Sequence, residues 1–356
     1  MSFRLPFILA ALVVSAATHA TQSARVLDKP QAEISEPFTN VASVRELSDG
    51  RVLVVDLNQS VHVVDFKAES VEQIGRTGSG PGEYKSPQLL LPLAGDSTLV
   101  VDPGNVRLLQ ITPNAKPART ISDAFPLADG RPGTRLPRGI DAKGRGYQPG
   151  RAANLRPESG ITQADSSAVV RFTRGSPAED TLGYIHLTPR KIDIAQSNGT
   201  IRAVSIVIPP FPSQDGWVVF PDGAVALVRT HDYRVDWVLP DGKRVAGRVI
   251  PYTPVKVTDA DKKKRPANGP EPEWPAVKPP FAYNGVLAGT DGNVWIPRYA
   301  PAEDTRSHYD VVDRRGAVVA RVDVPNGGKI VGFGAKSIYV VRIDDDDLQY
   351  LQRFPL

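Results

Sequence analysis

A short polar turn followed by a run of β-branched residues recurs six times along the chain. The clearest copy, Gly50–Asp56, reads G-R-V-L-V-V-D. The other copies are Asp96–Asp102, Gly144–Gly150, Gly223–Arg229, Gly292–Arg298 and Lys336–Arg342. Further apolar runs, bounded by Asp-Gly-type turns, flank each copy, so that each unit is predicted to contain four short antiparallel strands. A repeat of this kind predicts an architecture of successive similar units.

The spacing between the copies is that of a β-propeller blade. The copies that end at Asp56, Asp102 and Gly150 are 46 and 48 residues apart, and those that end at Arg298 and Arg342 are 44 residues apart. One four-stranded blade with its connections has this length. We therefore predict an all-β protein, a six-bladed β-propeller of four-stranded antiparallel blades.

Two wider gaps between copies hold insertions. The first gap contains Arg151–Ser167 and Thr188–Ser197, and the second contains Tyr252–Pro280 with Trp274. We expect Arg151–Ser167 to be a long loop and Tyr252–Pro280 to overhang the central channel as a lid. A seventh blade around Lys191–Ile208 is the alternative.

The N-terminal region is expected to supply a strand that the last unit lacks. The sixth unit contains only three strands, whereas a strand-like stretch near Arg25–Ile34 belongs to no unit. Pairing between them would close the ring and remove two exposed sheet edges. Upstream, one basic residue, a short apolar run and a small-residue site ending at Ala20 are typical of a secretory signal peptide. We predict a signal peptide at 1–20, a lead-in with the closing strand at 21–37, and one propeller domain at 38–356, in a periplasmic or secreted protein.

Composition excludes several classes of function. The net charge is +4 at pH 7, and the basic residues are scattered instead of forming the stripe of a nucleic-acid-binding protein. The chain has no cysteine, which excludes disulfides, zinc–thiolate sites and a cysteine nucleophile. No segment after the signal-like region is long and apolar enough to span a bilayer, so membrane insertion is not predicted.

A glycine-rich string lies between the first and second units. It covers Gly75–Tyr84 and reads G-R-T-G-S-G-P-G-E-Y. With Pro221–Gly223, Tyr233–Trp237 and Asp344–Tyr350, it resembles the secreted bacterial six-bladed β-propellers of the NHL and TolB-like type. The resemblance implies the fold, but most such proteins have no assigned activity. The calcium ligands of six-bladed lactonases and the His ligands of amidating lyases cannot be matched to this sequence residue by residue. We expect the glycines to serve a tight crossing with positive φ.

The ends of the six copies are the candidate ligand-binding positions, because the turns that follow them share one face with the connections between units. We expect the second strand of each unit to lie near the propeller axis, so that these side chains surround the channel mouth. The candidates are Asp56, Asp102, Arg151 (beside Gly150), Arg229, Arg298 and Arg342.

The two aspartates and the arginines differ in what they are expected to do. Asp56 and Asp102 are expected to cap backbone N–H groups of their turns. The arginines either pair with these aspartates and with Asp344–Asp347, or bind an anion such as a carboxylate, a phosphate, an acidic sugar or an acidic peptide.

Signals for catalysis and metal binding are weaker. His231 is the candidate acid or base, and also a candidate ligand-binding residue. No G-x-S-x-G elbow and no pair of histidines at metal-ligand spacing occurs in the sequence. Asp344 and Asp346 resemble a calcium loop in composition only, so we predict neither a metal nor a cofactor. His62 and His186 lie within strand-like runs and are expected to be structural.

The sequence thus predicts a binding or interaction module, with a small anionic ligand or a protein partner at an arginine-rich channel mouth. One alternative is a propeller hydrolase or lyase that acts on an anionic substrate, with His231 as acid or base and the arginines as oxyanion clamps. The other alternative is a non-catalytic scaffold of a cell-envelope complex.

Overall fold

The computed structural model describes residues 24–150, 153–156, 160–189, 191–197, 200–264 and 272–356. Within them, the strands form six antiparallel blades of four strands each, and a parallel strand extends one blade. The sheets form a six-bladed β-propeller, as the repeat predicts. The predicted signal peptide at 1–20 lies outside the described residues.

The strands follow one another around the ring in chain order. Two strands, β1 (Arg25–Val26) and β2 (Ala32–Glu33), precede the first blade. Blade 1 consists of β3 (Val41–Glu46), β4 (Val52–Asp56), β5 (Ser60–Asp65) and β6 (Ser70–Gln73). Blade 2 consists of β7 (Leu89–Pro92), β8 (Thr98–Asp102), β9 (Arg107–Ile111) and β10 (Pro117–Ile121). Blade 3 consists of β11 (Gly139–Ile140), β12 (Gly146–Pro149), β15 (Ser166–Phe172) and β16 (Glu179–His186), with the hairpin of β13 (Ala153–Arg156) and β14 (Gly160–Gln163) inserted between β12 and β15.

The second half of the ring contains more inserted structure. A separate hairpin, β17 (Lys191–Ser197) and β18 (Thr200–Val207), precedes blade 4, which consists of β19 (Gly216–Val219), β20 (Val225–Arg229), β21 (Arg234–Val238) and β22 (Arg244–Val245). The next insertion contains β23 (Val255–Lys256), the helix α1 (Asp259–Lys263) and β24 (Val277–Lys278). Blade 5 consists of β25 (Leu287–Ala288), β26 (Val294–Arg298), β27 (Ser307–Val312) and β28 (Val318–Val324). Blade 6 consists of β29 (Lys329–Phe333), β30 (Ser337–Ile343), β31 (Gln349–Pro355) and β2.

Strand β2 closes the ring. It pairs antiparallel with β31, with Ala32 opposite Arg353. The Ile34 N–H extends the pairing by donating to the carbonyl of Leu351 at 3.0 Å. The predicted closure of the last blade by an N-terminal strand is therefore confirmed.

Strand β1 has a different partner. It pairs in parallel with β28 and so adds a fifth strand to the outside of blade 5. The Leu27 N–H donates to the carbonyl of Asp323 at 2.9 Å, and the Leu27 side chain is only 4% exposed. The lead-in thus pairs with both of the last two blades, and not with blade 6 alone.

The second strand of a blade is buried on both faces. Every residue of Val52–Asp56 is buried. Successive side chains of a strand point to opposite faces, so Leu53 packs with Leu90 of blade 2, whereas Val54 packs with Tyr339 of blade 6. This position between two neighbouring blades explains why the repeat is a continuous apolar run without alternation.

The first strands, and not the second, surround the propeller axis. First strands of neighbouring blades touch: the Leu90 N–H of β7 donates to Ser43 Oγ of β3 at 3.1 Å. A Cβ added at Gly332 of β29 would lie 2.5 Å from Cγ2 of Val44 in β3. The expectation that second strands line the channel is therefore wrong. Each blade begins at the axis and runs outward, so the candidate residues at the ends of the second strands lie one strand away from the channel.

The inserted segments fold into small elements of their own. Arg151–Ser167, expected to be a long loop, contains the hairpin β13–β14. The hairpin β17–β18 pairs with no other sheet in the described part of the chain, so it is not a seventh blade. Hairpin pairing satisfies the backbone N–H and C=O groups of such long excursions. Within the described ranges, no helix has the length and apolar character needed to cross a bilayer.

Candidate functional site

Asp56 and Asp102 cap backbone N–H groups. The Asp56 carboxylate accepts hydrogen bonds from the N–H groups of Thr39 and Asn40, each at 2.8 Å. Asp102 accepts from the N–H of Ser86 at 2.8 Å. The donors belong mainly to the segment that enters the first strand of the same blade, and not to the aspartates' own turns. With 2% and 0% exposure, the two side chains are committed to the fold.

Arg229, at the end of β20, is held by two carboxylates. Its Nε donates to Asp236 at 2.8 Å, and its Nη1 donates to Asp215 at 2.9 Å and to the carbonyl of Tyr184 at 2.6 Å. Burial alone would raise the pKa of Asp236, but the hydrogen bonds from Arg229 and Arg234 lower it overall. These contacts fasten the outer strand of blade 3 to blade 4.

Arg298, at the end of β26, lies beside the buried carboxylate of Asp310. The Nε atoms of Arg298 and Arg321 are 3.2 Å and 3.3 Å from the same oxygen of Asp310. The Tyr233 hydroxyl donates to the other oxygen at 2.9 Å. Burial, reinforced by Asp310, raises the pKa of Tyr233 well above its ordinary value. One carboxylate here faces two guanidinium groups, which are 30% and 35% exposed.

Arg342, at the end of β30, is fixed by the closing strand. Its Nη2 donates to Glu33 at 2.9 Å, and its guanidinium lies 4.3 Å from the ring centroid of Tyr350. The hydrogen bond from Arg342 lowers the pKa of Glu33 despite partial burial. Nη1 of Arg342 has no hydrogen-bond partner among the described residues. All three arginines therefore pair with carboxylates, but with different ones from those that the sequence suggested.

A groove between blades 5 and 6 opens beside Arg342. It has a volume of about 800 Å³. Its charged lining residues are Lys264, Asp304, Arg306, Arg342, Asp344 and Asp345. The Lys264 Nζ donates to the carbonyl of Ala302 at 2.6 Å, and no carboxylate of the described residues lies within ion-pair distance of it. We call this feature the blade 5–6 groove.

The insertion that carries Lys264 is fastened to blade 5. Lys278 and Asp261 form an ion pair at 2.6 Å, with both side chains only 4% exposed. The Lys278 Nζ also donates to the carbonyl of Ala300 in the β26–β27 loop at 2.7 Å. The segment expected to act as a lid over the central channel is therefore held against the loop that forms one wall of the groove.

His308 lies in β27, directly after the groove residues 304–307, and the sequence assigned this side chain no role of its own. Its Nδ1 is 2.7 Å from Asp323 Oδ1, and its Nε2 is 3.0 Å from Asp304 Oδ2. Arg306 contacts the same two carboxylates and, through its hydrogen bonds, lowers the pKa of Asp304 well below its ordinary value. Because carboxylates engage both ring nitrogens, His308 holds the loop and does not offer a free base. The alternation Asp304-x-Arg306-x-His308 is the sequence signal that could have indicated this cluster.

The remaining candidate residues from the sequence lie away from the groove or are engaged in turns beside it. Arg151 lies outside the described residues. His231 is exposed, and its ring centroid is 4.9 Å from that of His186. Asp344 accepts a hydrogen bond from the N–H of Asp346 within a turn. The described part of the chain contains no group of three or more His, Cys, Asp or Glu side chains that could hold a metal ion.

The glycine-rich loop at 75–84 is built around its own glutamate. Gly75 and Gly82 have positive φ angles of 69° and 74°, as a tight crossing requires. Gly78 serves close approach instead, because an added Cβ would lie 2.1 Å from a carboxylate oxygen of Glu83. The same carboxylate accepts the N–H of Gly80 at 2.7 Å. The loop thus binds a carboxylate that belongs to the protein itself.

Comparisons with known proteins agree with the fold and do not define a family. No protein-family model and no curated protein matches the chain. Among solved structures, it is similar to a streptogramin B lyase (14% identity over 91% of this chain and 86% of that chain, TM-score 0.41). It is also similar to the calcium-binding protein regucalcin of Agrobacterium tumefaciens (12% identity, 93% and 95% coverage, TM-score 0.38) and to a gluconolactonase-like protein (12% identity, 94% and 98% coverage, TM-score 0.46). At these identities and scores the likeness carries no argument about activity, and the six-bladed architecture rests on the sheet topology of the chain itself.

Proposed function

We propose that this protein is a secreted or periplasmic binding propeller of the NHL and TolB-like type, which holds an anionic ligand in the blade 5–6 groove. Lys264 carries the proposal. Its ammonium group lies in the groove wall, donates to a carbonyl, and has no carboxylate partner among the described residues. An anionic group in the groove would supply the charge-assisted hydrogen bonds that the protein leaves unmade there.

Arg342 supplies the second contact. Its pairing with Glu33 and its stacking on Tyr350 hold the guanidinium in one orientation. A guanidinium held in this way loses little conformational freedom when it binds a carboxylate or phosphate. Arg229 and Arg298 are engaged by carboxylates in blades 4 and 5, so the proposal centres on Arg342.

The acidic residues that line the groove limit the kind of anion that it can hold. Asp344 and Asp345 line it together with the basic residues, and their negative charge disfavours a ligand that is acidic throughout. A ligand that fits this lining carries both an anionic group and hydrogen-bond donors. Amino acids and acidic sugars have this character.

Calorimetric titration of the protein without residues 1–20 tests the proposal. The ligands are glutamate, glucuronate and inorganic phosphate. We expect at least one to bind and to raise the melting temperature. Lys264→Gln and Arg342→Gln should each weaken binding by roughly ten- to one-hundred-fold, because one charge-assisted hydrogen bond contributes roughly 1.5–3 kcal/mol.

The matched control is Lys143→Gln. This substitution removes the same charge from an exposed turn on the opposite face of the ring, so binding should be unchanged. If none of the three ligands binds, or if all three variants bind like the unmodified protein, the groove is not an anion site.

The alternatives from the sequence keep distinct outcomes. A hydrolase or lyase acting on an anionic substrate would show turnover that His231→Gln abolishes. A scaffold of a cell-envelope complex would show neither turnover nor small-ligand binding, and would instead co-purify with a protein partner. Secretion is tested separately: N-terminal sequencing of the exported protein should begin at Thr21 if the signal peptide is cleaved after Ala20.

A further inference from the structure

A pair of histidines lies on the same face of the ring as the groove, but between blades 3 and 4. His186 ends β16, and His231 lies in the turn between β20 and β21. Their ring centroids are 4.9 Å apart, and the ring planes are inclined by 56°. We propose that these two imidazoles bind a divalent transition-metal ion such as Zn²⁺, in a site independent of the anion-binding groove.

One buried carboxylate fixes the backbone at His186 and at Thr230, the neighbour of His231. Asp215, only 4% exposed, accepts the N–H of His186 at 3.0 Å and the N–H of Thr230 at 2.9 Å. The Asp215 N–H in turn donates to the carbonyl of His186 at 3.0 Å. The two side chains come from different blades, but their backbone positions are held close together. Less conformational entropy is therefore lost when both side chains bind one ion.

The ring nitrogens are free to coordinate. In the described part of the chain, no hydrogen bond or ion pair engages the ring nitrogens of His186 or His231, and the two rings lie against each other. This separates them from His308, whose two ring nitrogens both contact carboxylates. Uncommitted neutral imidazole is a good ligand for Zn²⁺, Ni²⁺ and Cu²⁺.

The separation of the rings fits a shared ion. With a metal–nitrogen distance of about 2.0–2.1 Å, a metal ion lies about 3.2 Å from the centroid of each coordinating imidazole. Two such rings at a nitrogen–metal–nitrogen angle of about 100° have centroids about 4.9 Å apart. Water completes the coordination, as in metal sites that keep open positions.

The surrounding charge also favours a cation. The ion-paired groups around the histidines are Asp215, Asp232, Asp236, Arg229 and Arg234. Three carboxylates thus face two guanidinium groups. Among these described groups the net charge is negative, which attracts a divalent cation and disfavours an anion.

The test uses protein without a polyhistidine tag, because a tag would bind the same ions. Isothermal titration with Zn²⁺ should show one ion bound per chain. His186→Gln and His231→Gln should each weaken binding about ten-fold or more, since even the loss of a residue that only supports a ligand costs 10–100-fold. With Cu²⁺, electron paramagnetic resonance should show coupling to two imidazole nitrogens in the unmodified protein and to one in His231→Gln.

Two control variants decide where the ion binds. His62→Gln removes a half-buried imidazole from blade 1, and Lys264→Gln alters the anion groove. Both should bind Zn²⁺ like the unmodified protein. The proposal is overturned if the unmodified protein binds no Zn²⁺, or if His186→Gln and His231→Gln bind it as tightly as the controls do. Because His231 is exposed, its variant should fold normally, so a loss of binding reports the loss of a ligand.

Discussion

Ile34 lies where the N-terminal strand meets the last blade, so it tests how the ring is held closed. Its side chain is 2% exposed. It packs in one cluster with residues of blade 1 and of blade 6, among them Val54 and Tyr339. Replacing it with alanine leaves the backbone pairing of β2 with β31 in place and removes only the buried apolar contact.

The expected loss follows from the size of the deleted group. Ile34→Ala removes three carbon atoms, each contributing about 0.8 kcal/mol when fully buried, or about 2.4 kcal/mol together. A cavity term is added, because neighbours on two packed sheets cannot collapse into the space. We expect the free energy of unfolding to fall by about 3–4 kcal/mol and the melting temperature by roughly 5–10 °C.

Urea unfolding and thermal melting measure this loss. Val26→Ala is the matched control, since Val26 is a β-branched residue of the same lead-in but 48% exposed, and its replacement should cost less than about 0.5 kcal/mol. If Ile34→Ala unfolds at the same urea concentration as Val26→Ala, the closing strand does not support the ring. Deleting residues 21–34 should then also leave the melting temperature unchanged, whereas an effective closure predicts a larger loss than Ile34→Ala.

Three further predictions concern the groove and the glycine-rich loop. Lys278→Met should lower the free energy of unfolding by about 3–5 kcal/mol, because it leaves the Asp261 carboxylate buried without its partner. Limited proteolysis should then cut the variant within 252–280. The control Lys262→Met, which breaks an exposed ion pair, should leave the proteolysis pattern unchanged. Asp304→Asn should lower the free energy of unfolding at pH 7, because hydrogen bonds from Arg306 lower the pKa of Asp304 in the folded protein. This carboxylate therefore stabilises the fold above its unfolded pKa of about 3.9, and the stabilisation is lost as the pH falls through the folded pKa. Unfolding measured from pH 7 to pH 2 should show the difference shrinking, and a difference that grows towards acid would contradict the reasoning. Gly78→Ala should lower the free energy of unfolding by about 1 kcal/mol, because the added methyl group displaces the Glu83 carboxylate. In a protein that already carries Glu83→Ala, the same substitution should lower it much less. Equal losses in both backgrounds would show that Glu83 is not the cause.

The blade count could be read from the sequence because the signals that determine it are local. A buried second strand is a continuous apolar run, and the turn before it uses glycine at positive φ, as at Gly50 and Gly223. Blades 1, 3, 4 and 5 have this glycine at the start of the copy, and the copies in blades 2 and 6 begin with Asp96 and Lys336 instead. The number of copies equals the number of blades. The closing strand followed from the same count, since the sixth unit lacked one strand and the lead-in contained one.

The candidate site could be predicted only in part. Asp56 was expected to cap backbone N–H groups of its own turn, but its main donors, Thr39 and Asn40, lie 17 and 16 positions earlier in the chain. The partner of Arg342 is Glu33, a residue 309 positions away in the chain, and nothing local in the sequence indicates that pairing. The same holds for Lys264, whose place in the groove depends on how the insertion docks on blade 5.

The sequence by itself determined the repeat, the strands of the blades and the closure of the ring, because these depend on short-range periodicity and turn chemistry. Only the tertiary structure decided which strand faces the axis, which carboxylate each arginine meets, and that His186 lies against His231. These outcomes depend on which blades and insertions touch. In a ring, residues far apart in the chain become neighbours, and the pattern of any single blade contains no record of that contact.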